Sequence, residues 1–73
     1  MTRFIYACYN TKYKENTIRT IVARSFEDAY EKIIHQFFQQ YDCLESDDWT
    51  SFCEELKQKL GITISNVYDI EAL

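Results

Sequence analysis

Seven apolar side chains between residues 26 and 41 fall on one helical stripe, and that stripe constrains the fold more than any other feature. Phe26, Ala29, Tyr30, Ile33, Ile34, Phe37 and Tyr41 stand at offsets 0, 3, 4, 7, 8, 11 and 15, the period of an α-helix. Ser25 precedes the stripe as an N-cap, and Asp28 three residues on completes a capping box. Glu27 and Asp28 also suit the positive end of the helix dipole. Glu27, Glu31, His35 and Gln39 line the opposite, polar face at i, i+4 spacing. A helix apolar along one side must bury that side, so the rest of the chain has to supply a surface for it.

Two strand patterns precede the helix. Residues 3–9 alternate Phe4, Tyr6 and Cys8 with Ile5, Ala7 and Tyr9, and apolar groups on both faces suit a central or well-covered strand. Residues 17–24 set Ile18, Thr20 and Val22 against Arg19, Ile21 and Ala23. The polar segment 10–16, with Asn at both ends, joins them as the loop of an antiparallel hairpin.

After the first helix, residues 42–45 form a break. Ser46, Asp47 or Asp48 caps a second helix, whose Trp49, Phe52, Cys53, Leu56 and Leu60 again follow helical spacing. Lys57 and Lys59 in its last turn and Gly61 just beyond are stop signals. Residues 62–70 alternate Ile62, Ile64, Tyr68 and Ile70 and make a third strand, with Asn66 interrupting the series. The order ββααβ predicts a single α+β domain over residues 1–73. It is a two-layer sandwich in which two helices cover one face of a three-stranded, antiparallel-type sheet of order 2-1-3.

A chain this short buries only about 60% of its unfolded surface, so its core has to be dense. Five Phe, six Tyr and one Trp supply that density, while one Gly and no Pro leave little room for disorder. Two short helices over three strands are not expected to hide twelve aromatic rings, so some should mark an interaction surface.

Chemistry-bearing constellations are sparse. Cys8, His35, Cys43 and Cys53 are the candidate soft metal ligands, yet none forms a C-x-x-C or H-x-x-x-H pair. Cys8 and Cys53 fall on apolar faces, where a free thiol packs as a small hydrophobe. His35 lies on a polar helix face, and the lone Gly at a helix end excludes a phosphate-cradling loop. These features predict a protein that is not an enzyme and has neither cofactor nor metal. The odd cysteine count and the lack of a cationic-then-apolar leader predict a reducing, cytoplasmic setting. No apolar run approaches the ~20 residues of a membrane span.

Charge is segregated along the chain. The net charge is −4, but residues 1–24 carry five cations against Glu15 alone, a net of +4, which leaves −8 for residues 25–73. Two surfaces therefore compete for a partner. Asp42, Glu45, Asp47, Asp48, Glu54 and Glu55 fall within fourteen residues with no cation among them, and would meet a protein with a basic surface. Tyr13, Phe38 and Tyr41 are the aromatic candidates beside them. The alternative is a nucleic-acid contact through Lys12, Tyr13, Lys14, Arg19 and Arg24, in which cations meet phosphates and rings stack on unpaired bases. A second alternative is a structural dimerisation module, because small domains gain burial by pairing.

In size, charge and architecture the chain resembles the short acidic α+β proteins that bacteriophages and other mobile elements encode to inhibit host machinery, anti-CRISPR proteins among them. The resemblance implies a small inhibitor that blocks a basic host surface, with imitation of nucleic acid as one way of doing so. It assigns no individual residue a role.

Overall fold

The computed structural model describes residues 1–73. Its elements run β1 (Thr2–Asn10), β2 (Glu15–Ala23), α1 (Phe26–Gln40), α2 (Trp49–Leu60), β3 (Ile62–Ile64) and β4 (Tyr68–Asp69), followed by a closing 3₁₀ turn over Ile70–Ala72. The strand order is β2-β1-β3, and β4 also pairs with β1, farther along the strand. Every pairing is antiparallel, so β1 is the central strand of an α+β sandwich with both helices on one face of its sheet.

The hairpin is tighter than the sequence suggests. Both strands extend until only Thr11–Lys14 is left as a turn. Asn10 closes that turn by accepting the backbone N–H of Lys12 at 3.0 Å and of Tyr13 at 3.3 Å through its side chain. Lys14 takes the left-handed conformation, φ 54°, that completes the reversal. The polar residues of the loop had masked how far the ladder runs.

Alternation along β1 and β2 decides what is buried. Phe4, Tyr6 and Cys8 of β1, with Ile21 and Ala23 of β2, face the helices and are buried. Ala29, Ile33, Ile34 and Phe37 of α1 meet Phe52 and Leu56 of α2 over that surface. Phe52 is wholly buried and takes edge-on contacts from Phe37 and Phe38, with ring centroids at 5.7 and 6.3 Å. Tyr30 stacks on Trp49 at 4.5 Å and joins the two helices nearer the start of each.

Capping explains the helix limits. Ser25 accepts the N–H of Asp28 at 3.1 Å, and Asp28 accepts the N–H of Arg24 at 2.9 Å. Asp48, the last of the three candidate caps, starts α2 by accepting from the N–H of Ser51 at 3.1 Å. Gly61 ends α2 in the left-handed region, φ 66°, where a side chain would be strained.

The predicted single strand over 62–70 is two strands. Cys8 faces Ile64, whereas Ile5 faces Tyr68, so Ser65, Asn66 and Val67 stand opposite only Tyr6 and Ala7. The extra residue is a β-bulge, and it reverses the alternation beyond it. Val67 enters the core, while Tyr68 turns to the face away from the helices. Tyr68 therefore does not share a face with Ile62 and Ile64. The sheet has four strands where three were expected.

Candidate interaction surfaces

The acidic segment is a braced loop. Leu44 is buried and anchors it to the core. Glu55 on α2 reaches across to accept the backbone N–H of Glu45 at 2.8 Å and of Ser46 at 3.0 Å. Lys59, one turn on, donates to Glu55 at 3.0 Å and to the carbonyl of Cys43 at 2.7 Å. The N–H groups of Ser46 and Glu45, together with Lys59, hold the Glu55 carboxyl down to about 2. The same contact raises Lys59 above its ordinary range.

This brace divides the six predicted carboxylates. Glu55 is occupied with the loop, and Asp48 with the helix cap. Asp42, Glu45, Asp47 and Glu54 are exposed. None of the four joins an ion pair, since the chain's three salt bridges use Asp28 and Glu55 alone.

The predicted aromatic trio does not share a surface. Phe38 is half-buried against Phe52. Tyr41 is half-buried and stacks on Phe37, with centroids 6.1 Å apart. Tyr13 stands out at the hairpin turn, 65% exposed, with the Lys12 ammonium 5.5 Å from its ring. Tyr13 and Tyr41 do meet across a cleft of about 430 Å³, lined also by Lys12, Lys59 and Leu60.

Nor do the predicted basic residues converge. Lys12 and Lys14 lie at the turn. Arg24 follows the far end of β2, about 30 Å away at the rise of a strand, and lies 3.7 Å from Asp28. Arg19 points to the helix side of the sheet, where its guanidinium lies 5.7 Å from the centroid of Phe37. Burial pushes the Tyr6 phenol up, and the neighbouring Arg19 guanidinium partly draws it back. Strand alternation sets Arg19 apart from Ile18 and Thr20, a separation that spacing along the sequence does not show.

The sequence reading missed the open face of the sheet. Ile5, Ala7 and Tyr9 of β1 share it with Ile18, Thr20 and Val22 of β2, Thr63 of β3 and Tyr68 of β4. Four of the chain's eight exposed large apolar side chains lie here: Tyr9, Ile18, Val22 and Tyr68. Apolar residues on both faces of β1 had suggested a central or well-covered strand. The strand is central, but only one face is covered. The available signal was the run Ile18-x-x-x-Val22 beside Ile5 and Tyr9, where a solvated face normally carries polar groups.

The remaining reactive groups stand apart. Burial pushes the thiols of Cys8 and Cys53 up, opposite to the shift that makes a nucleophile. His35 contacts Gln39 at 3.2 Å on the exposed side of α1. No three His, Cys, Asp or Glu side chains converge on a metal-sized site. No helix is long and apolar enough to cross a membrane. Compared with protein-family models, curated proteins and solved structures, the chain finds no match.

Proposed function

We propose that this protein is a binding module without a reaction of its own, and that it docks on a basic protein surface through the 42–48 loop and the adjoining wet side of α2. One observation carries the reading: Asp42, Glu45 and Asp47 are exposed and unpaired on a loop that Glu55 and Lys59 hold in place, and Glu54 is exposed and unpaired on α2. Three unneutralised carboxylates on a braced loop and a fourth on α2 offer a partner's cations a field without first having to break an internal salt bridge. An inhibitory role inside a reducing cell, of the kind that bacteriophage and mobile-element proteins such as anti-CRISPRs perform, belongs to the same proposal. It rests on likeness of size, charge and architecture.

The test is affinity capture from host lysate followed by titration calorimetry on the captured protein. Reversal to Lys at Asp42, Glu45, Asp47 and Glu54 is expected to abolish capture while leaving the circular dichroism spectrum unchanged. Binding by the parent protein should weaken as salt rises. Undiminished capture by the reversed protein would sink the proposal.

Nucleic acid is the second reading, and the cleft shared by Lys12, Tyr13, Tyr41 and Lys59 favours it. It requires salt-sensitive binding of single-stranded RNA or DNA that is lost on Lys12→Ala with Lys14→Ala. The dispersal of Arg19 and Arg24 places this reading second.

A further inference from the structure

We infer that the open face of the sheet is where two copies of this chain meet, sheet against sheet, with their strands antiparallel. None of the strand positions on this face is a carboxylate in a chain that has twelve; its charges, Arg3 at an end of β1 and Glu71 in the cleft beside Arg3 and Val22, lie together at one end. Its centre is apolar: Ile5, Ile18, Val22 and Tyr68 adjoin one another across three strands, and Ile18 is 70% exposed. A solvated antiparallel sheet would carry polar groups at these positions.

Area argues for a second copy as the occupant. The nine-residue β1 and β2 are about 30 Å long, and β3 and β4 end to end form a shorter third row, which gives roughly 400 Å² of flat surface per copy. Pleating and side chains raise the accessible area above that projection, which brings a pair close to the roughly 1,000 Å² at which specific interfaces begin. The chain's accessible surface of 5155 Å² also exceeds the roughly 4,800 Å² expected of a compact monomer of 8.8 kDa.

Chemistry argues against the other occupants. Single-stranded nucleic acid needs a cationic track beside its stacking rings, and the face offers Arg3 alone, with two aliphatic side chains on β2 that do not stack. A charged protein partner would find nothing to pair with apart from Arg3 and Glu71 at one end. Self-association meets no repulsion if the twofold axis lies in the interface and perpendicular to the strands. Arg3 of each copy then lies over the Tyr9 end of the other, where a cation can rest on a ring. An axis along the strands would instead bring the two Arg3 side chains together.

The test is the solution mass of the full chain by sedimentation equilibrium from about 1 to about 200 µM, the range in which a micromolar dimer dissociates. The mass is expected to rise from 8.8 kDa to twice that value. Ile18→Glu should weaken association at least about 100-fold with an unchanged circular dichroism spectrum, because the side chain is free in the monomer. If that variant fails to fold, Thr20→Arg on the same face provides the same readout. Asp47→Lys, on the acidic loop, should leave the dimer intact, which keeps this test separate from the one above. Arg3→Ala should weaken the dimer, and tightening would overturn the antiparallel arrangement. A mass fixed at 8.8 kDa, or a dimer indifferent to both face variants, overturns the inference. So does a monomer that binds a single-stranded oligonucleotide and loses it on Tyr68→Ala.

Discussion

Ser65 pairs with Ala7 partly through its side chain. Its backbone N–H donates to the Ala7 carbonyl at 2.8 Å, and the Ala7 N–H donates back to the Ser65 hydroxyl oxygen, also at 2.8 Å. The hydroxyl takes the place of a carbonyl that the bulge has carried out of register, and it donates its own hydrogen to the Asn66 carbonyl at 3.0 Å. The central strand thus keeps its ladder through the one-residue slip that sends Val67 into the core.

Ser65→Ala should therefore cost about 1 kcal/mol, the net value of a hydrogen bond that water can partly replace. Ser65→Thr should retain most of the stability, since the hydroxyl remains. Urea unfolding midpoints measure both. Faster amide exchange at Ala7 in the alanine variant would locate the loss, and unchanged exchange there would contradict the assignment.

Gly61 joins the hairpin turn to the end of α2. Its carbonyl accepts both the N–H and the hydroxyl of Thr11, each at 2.8 Å. A Cβ at Gly61 would lie 2.8 Å from the Thr11 hydroxyl oxygen, and φ is positive there. Gly61→Ala is expected to cost about 1–2 kcal/mol from the backbone alone, with the close approach adding to it. Removing the hydroxyl in the Gly61→Ala, Thr11→Ala double variant should cost less than the sum of the two single changes, a coupling that a double-mutant cycle reads directly.

Glu55 sets an acid limit on stability. Its carboxyl is held at about 2, against an ordinary value of 4.5. A depressed folded value stabilises the fold above the unfolded one, so this contribution is present above about pH 5 and lost as pH falls towards about 2. Glu55→Gln should flatten the decline in thermal midpoint across that window and lower the midpoint at pH 7. A proton titration of the Glu55 side chain by NMR with a midpoint near the ordinary value would refute the assignment.

Phe52→Ala should come close to unfolding the protein. The ring is wholly buried among Phe37, Phe38 and Trp49. Such truncations cost about 3–5 kcal/mol. A domain of this size has only about 4–11 kcal/mol in total, at the usual stability per residue. Loss of near-ultraviolet dichroism at room temperature, or a large fall in the thermal midpoint, is the expected readout.

Local physics was legible in the order of the residues. The stripe from Phe26 to Tyr41, the Ser25 cap, the Gly61 stop and the two-sided apolar pattern of β1 each follow from contacts within a few positions. Together they predict both helices, the hairpin and the central place of β1, all of which the structure contains. The acidic and basic halves were equally plain, because charge counts need no geometry.

Tertiary structure decided how each side chain is used. The sequence places Glu54 and Glu55 side by side, but only the fold brings Glu55 under the loop at Ser46 and leaves Glu54 exposed. Arg19 lies near Lys14 in sequence, yet strand alternation turns it towards Phe37. The bulge at Ser65 depends on pairing with a strand more than fifty residues away, so no local pattern announces it. The physical reason is one of range. Propensity, capping and amphipathic period act between near neighbours, whereas register, cover and hydrogen-bond partnership depend on which distant backbone arrives alongside.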